Sequence, residues 1–235
     1  MNILDFAALL VFALYVLGGF YRGFLYSALS IGAYMVSWLT GLLLMPFGAS
    51  AVKGSEKLYG MMLYYAEGSE YVKDAELARK TISSLSADQI KAIIDEAGLP
   101  YPMGKAITHN IAVEAFSSQN ITTLGDYFNQ TMVSVFINIL VFLVIFLIVR
   151  GILSFIINGV DYARVLPQLR SSDAVLGAGL GVVRGILALF AVFMLLPVAL
   201  TVLGGFDAVT ELVNRSLFSS FFYRSNFLLS MMPGV

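Results

Sequence analysis

The chain has 235 residues, of which 59% are hydrophobic and 12% charged, and its mean hydropathy is +0.85. Soluble domains carry about 25% charged residues, so this chain holds more apolar surface than one water-facing core can bury. A net charge of −1 argues against nucleic acid, the absence of cysteine excludes disulfides and thiolate chemistry, and a single histidine, His109, speaks against zinc.

The N-terminus, Met1 to Asp5, lacks the basic segment of a cleaved signal peptide, so its apolar stretch is expected to stay as an anchor. Residues 3–45 are almost wholly apolar, interrupted by Asp5 and Arg22. As one helix they would span about 64 Å, twice a bilayer's hydrocarbon core, so they are expected to fold back. The corner is Gly18-Gly19-Phe20-Tyr21-Arg22-Gly23, where glycine permits a turn and tyrosine and arginine suit an interface. This predicts one helix over Ile3–Phe20 and a second over Phe24–Met45.

Residues 46–131 hold every lysine and ten of the fifteen acids. Ser86 is placed to cap a helix over Ala87–Ala97, with Ile90, Ile93 and Ile94 on one face and Gly98 as its stop. Asp74–Leu85 and Met103–Phe116 are further amphipathic candidates, which makes this region a small helical extramembrane insert.

Met132–Val149 reads as a third span, closed by Arg150-Gly151, and a link carrying Asp161, Arg164, Pro167 and Arg170 follows. Ala174–Leu203 would be about 45 Å long as one helix, too long to lie in hydrocarbon without steep tilt. Arg184 is therefore expected to divide it, with Gly185–Leu203 as the fourth span and a bend at Pro197. Val175–Val183 becomes a glycine-rich element at the interface or an extension of the helix. Asp207–Met232 reads as amphipathic, lying on the membrane or against the bundle. The expected fold is all-α: four transmembrane helices in two hairpins (1–45 and 132–203), the insert at 46–131, and an amphipathic segment at 204–235.

Near the span ends, Arg22, Arg150, Arg164, Arg170 and Arg184 collect on one side, against Lys53, Lys57 and Arg215 on the other. The positive-inside rule then places the arginine links in the cytoplasm, and both termini and the insert outside.

The pattern Gly-x-x-Arg-Gly occurs twice, at Gly19–Gly23 and Gly181–Gly185. Gly177 and Gly181 share one helix face, where small residues let a second backbone approach; helix packing is the plain reading and a pore or ligand contact the sharper one. Arg22 and Arg184 can snorkel to headgroups, pair with a carboxylate or bind an anionic lipid. Along a helix, Asp5 lies about 25 Å from Arg22 and Asp173 about 16 Å from Arg184, so neither acid can reach its arginine there. Asp161 and Asp173 are left as partners across the link, and Asp5 reads as an interfacial or capping acid. No nucleophile elbow, P-loop or zinc-protease signature is present, so no enzyme activity and no cofactor are expected.

The residues do resemble a family. Asp5, the first apolar run and Arg22-Gly23-Phe24 are similar to the N-terminal part of the colicin V production protein family. Asp173, Leu176, Gly177, Gly181, Arg184 and Gly185 follow that family's Asp-x-x-Leu-Gly-x-x-x-Gly-x-x-Arg-Gly pattern. With Gly19, these are the candidate site residues, as motif positions for packing and interface rather than as a catalytic set. The resemblance implies a multi-pass bacterial inner-membrane protein, non-enzymatic, linked to toxin production or secretion and to the cell envelope. The expected partners are the bilayer and other membrane or envelope proteins, docked on the insert or the glycine face, with homo-oligomerisation left open. A channel or small transporter, with a path lined by the two Gly-x-x-Arg-Gly elements, is the competing reading.

Overall fold

The computed structural model describes residues 2–159, 172–203 and 207–232, so the link residues Asp161, Arg164, Pro167 and Arg170 lie outside the described residues. The described residues form helices and no sheet: α1 (Ile3–Lys53), α2 (Glu56–Tyr65), α3 (Ala75–Arg79), α4 (Ala87–Ala97), α5 (Met103–Ala112) and α6 (Leu124–Asn158), then α7 (Asp173–Phe193), α8 (Leu196–Leu203), α9 (Asp207–Asn214), α10 (Leu217–Arg224) and α11 (Phe227–Ser230). Three stretches, Ile3–Lys53, Leu124–Asn158 and Asp173–Leu203, are long and apolar enough to cross a membrane, where the sequence suggests four spans.

The difference lies in α1. Its backbone leaves helical geometry at Gly23, with φ 78° and ψ −177°. A positive φ costs glycine nothing and most other residues about 1 kcal/mol or more, so the break falls where the sequence can bear it. The break divides α1 into an N-terminal arm and a second arm that begins at Phe24.

Two other expectations change. Arg184 is not a boundary: α7 runs unbroken from Asp173 to Phe193, and the interruption comes at Met194–Leu195. The cause is Pro197, which lacks an N–H and whose ring clashes with the carbonyl four residues earlier, that of Phe193. The third apolar helix does not close at Arg150 either. It starts at Leu124 and continues to Asn158, so Arg150 is internal.

By packing, the chain divides into two units. The first comprises residues 1–45, 142–194 and 210–226, and the second residues 46–141, 195–209 and 227–235. In the first unit, both arms of α1 lie along α7. Gly19 packs on Gly177, Gly181 on Tyr15 and Val16, and Gly185 on Phe12, so the first arm runs antiparallel to α7. Ser27 Oγ donates to the Gly177 carbonyl (3.3 Å) and Tyr34 Oη to that of Leu187 (2.6 Å), so the second arm runs parallel to it. Phe12 and Tyr34 thus flank the same turn of α7, and the chain doubles back at Gly23. On α6, Phe142 packs against Gly41 and stacks on Phe146, which meets Tyr34 edge-on. The C-terminal stretch contributes α10, which packs on α7: Phe222 sits against Phe190 and Phe193, and Asn226 donates to the Phe190 carbonyl.

The second unit has a core of Ala49, Ala66, Val133, Phe136 and Ile137, with Tyr59, Met62 and Val198 packed on it. Its α4 is bounded by Ser86, whose Oγ accepts from the Gln89 amide while Gln89 returns the bond to the Ser86 amide, and by Gly98 in the left-handed region. Ile94 of α4 and Ile107 and Ile111 of α5 bury the facing sides of the pair. His109 is exposed on α5.

Candidate functional site

The two sequence motifs meet. Phe24 is the first helical residue after the break, and its amide has no acceptor within its own helix. Asp173 Oδ1 accepts it, at 3.0 Å, from 149 residues further along the chain. A Cβ on Gly23 would collide with that carboxylate, so the glycine provides both the dihedral and the space. Asp173 also stands in the first turn of α7, where a carboxylate favours the positive end of the helix dipole. One side chain at the start of α7 thus caps the second arm of α1.

From there the four-residue spacing of Gly177, Gly181 and Gly185 forms a seam. Cβ atoms at Gly177 and Gly19 would enter one another's backbone, and one at Gly181 would come within 2.6 Å of the Tyr15 carbonyl. At Gly185 the neighbour is the Phe12 ring, at 2.9 Å. Contact between backbones needs glycine at these points, as in other close membrane helix pairs. The face offered by the sequence to a partner is filled by the chain's own first arm. Gly179 lies off the seam with nothing within 4 Å of its Cβ position, and Leu176 is 40% exposed.

Asp5 is held elsewhere in the first unit. It is fully buried and accepts from the Asn2 amide (2.8 Å), Ser216 Oγ (2.7 Å) and the Phe218 amide (3.0 Å). It therefore ties the start of α1 to the start of α10.

The arginines form the polar part of the site. Arg22 Nη1 donates to Asn158 Oδ1 of α6 at 2.6 Å, and its guanidinium lies 4.5 Å from the centroid of the Tyr26 ring. Arg184 lies 5.0 Å from the same ring and 5.3 Å from that of Tyr15. Arg150 Nη2 donates to Ser30 Oγ at 2.8 Å, and the group is close enough to Arg184, Tyr15, Tyr26 and Tyr34 to interact electrostatically with them. Arg22 and Arg184, with Leu14, Tyr15, Gly18 and Tyr26, line a cavity of about 220 Å³.

Arg150, Tyr15, Tyr26, Ser30, Tyr34 and Asn158 were not among the expected site residues. The signal for three of them is in the second arm, where Tyr26, Ser30 and Tyr34 recur every fourth residue and so share a face of an otherwise apolar helix. For Arg150 the signal was the apolar run Ile152–Ile157 beyond it, which lets the helix continue.

No curated protein and no solved structure matches the chain. A family model does: that of the colicin V production protein, over residues 112–225. The match takes in the whole of α7 with its seam and Arg184, Arg150 on α6, and Ser216 and Phe218 that hold Asp5. Over residues 112–225, just under half of its length, the chain is similar to the colicin V production protein family.

Proposed function

We propose that this protein is a multi-pass protein of the bacterial inner membrane that serves as a non-enzymatic scaffold in toxin production or secretion and in maintenance of the cell envelope. It crosses the membrane four times, the two arms of α1 making one hairpin and α6 with α7–α8 the other. The link between α6 and α7 faces the cytoplasm, and the termini and the 46–131 insert face outward, as the arginine distribution favours. The observation that carries the reading is the family match over the helix whose glycine seam both arms of α1 pack against. A backbone-on-backbone seam, clasped at its end by Asp173, suits a part that holds a fixed shape and presents it to other membrane or envelope proteins.

A test is complementation in a colicin V-producing bacterium that lacks its own family member. Wild-type protein should restore toxin release into the medium, and Gly181→Leu, which pries the seam open, should not. The channel reading draws on the arginine-lined cavity. Ion or solute flux through vesicles holding the purified protein, abolished by Arg184→Ala with the protein still assembled, would replace the scaffold with a conduit.

A further inference from the structure

We propose that Arg22 and Arg184 form a binding site for a phosphate-type oxyanion, with the cavity beside Tyr15 and Tyr26 as its seat and Arg150 adding positive charge near Arg184. The inference rests on the membrane reading above, because only there is the arrangement so costly without a ligand.

Arg22 and Arg184 line the cavity from two helices, Arg150 of a third lies near Arg184, and all three are permanently charged. Arg184 lies 11 residues into α7, about 16 Å from its start, and Arg150 lies eight residues before the end of α6, about 12 Å in. Charges at such depth are stable only with a partner. Among the described residues none of the three arginines is paired with a carboxylate. Asp173 accepts from the Phe24 amide, and Asp5 is held far from the cavity by Ser216 and Phe218.

The aromatic neighbours do not fill the gap. A ring face attracts a guanidinium but accepts none of its in-plane hydrogen bonds. Arg184 Nε and Nη1 and Arg150 Nη1 are accordingly buried and without an acceptor. Buried donors in that state call for an acceptor, and the N–H groups of Arg184 and Arg22 around one small cavity match the oxygens of a phosphate. The cavity has room because residue 18 is glycine, with nothing within 4 Å of where its Cβ would stand. Leu14 on its rim is 60% exposed, so the mouth lies on the outer surface of the first arm, which in a bilayer meets lipid. An anionic headgroup can enter from there, and a free phosphate ion carries the same chemistry.

Full-length protein purified in a neutral detergent is titrated with short-chain phosphatidylglycerol and, separately, with inorganic phosphate, while the thermal unfolding midpoint is followed. Two variants go alongside: Arg184→Gln removes donors, and Gly18→Leu fills the cavity with every arginine in place. A saturable rise with the lipid, weakened on the order of tenfold or more in both variants, identifies a headgroup site. The same behaviour with phosphate alone identifies a free-anion site. No rise with either probe, or a rise that survives in either variant, overturns the proposal. Protein released from cell membranes by an alkaline wash without detergent would instead defeat the membrane reading on which it rests.

Discussion

Two helix starts in this molecule are capped in opposite ways. At α4 the cap is Ser86, one residue before the helix, and the bond is returned by Gln89 three residues later. At the second arm of α1 the acceptor for Phe24 is Asp173, 149 residues away on another helix. The first device suits a region rich in charge, where water satisfies whatever the cap misses. The second suits an apolar setting, where each free amide must be answered by protein, and a carboxylate fixed by packing can answer it. Local capping costs the fold little if lost. Long-range capping doubles as tertiary structure.

That contrast can be broken at several points. The largest effect is expected at the seam. Gly181→Leu drives a side chain into the Tyr15 carbonyl and Val16 Cα, backbone atoms that cannot rotate away. Overpacking of this kind costs about 1–3 kcal/mol in ordinary cores and more against backbone, so thermal unfolding in detergent should show a collapsed midpoint or no folded protein. Gly179→Leu, one turn face away, should unfold like wild type, because its Cβ position is open. Equal damage from both would mean that close approach is not what decides the matter, since helix propensity favours leucine over glycine at each site.

Next comes Asp173→Ala. It strands the Phe24 amide and should cost about 1–3 kcal/mol, read from the same unfolding curves, with Asp173→Asn recovering most of the loss because it still presents an oxygen. Ser86→Ala should cost about 1 kcal/mol and act locally, as faster amide exchange at the start of α4 with the first unit unchanged. If Ser86→Ala matched Asp173→Ala in size, the distinction between local and long-range caps would fail. Smallest of all, Lys73→Ala removes an ion pair to Glu96 that spans 3.4 Å between side chains 66% and 68% exposed. Its effect on unfolding should stay under about 0.5 kcal/mol and vanish in high salt.

The same division explains what could be read from sequence. The bounds of α4 follow from Ser86 and Gly98, and the turn at Gly23 follows from the length of an apolar run set against the bilayer, because both are arguments about neighbours along the chain. Arg184 lies within α7 rather than at a boundary for a related reason. Its charge points to an exit at the interface, whereas the rings of Tyr15 and Tyr26 receive it midway along α7, and only the folded arms bring those rings there. Neither Asp5 nor Asp173 turns to an arginine, since both accept from backbone amides of distant helices. A periodicity reports which residues share a face. It does not report which face of which helix will lie opposite.

The clasp on Phe24 also has a history in time. A ribosome makes both arms of α1 long before it reaches Asp173, so the Gly23 corner is at first unlatched and the Gly19 face bare. The late helix α7 then closes over the early ones, and the Gly-x-x-Arg-Gly element near the start of the chain becomes load-carrying only once its counterpart has been made. A nascent chain stopped before residue 173 would therefore hold its first two arms as a loose pair, open to whatever chaperone or protease reaches them, and synthesis of α7 is the step that commits the protein to its final shape.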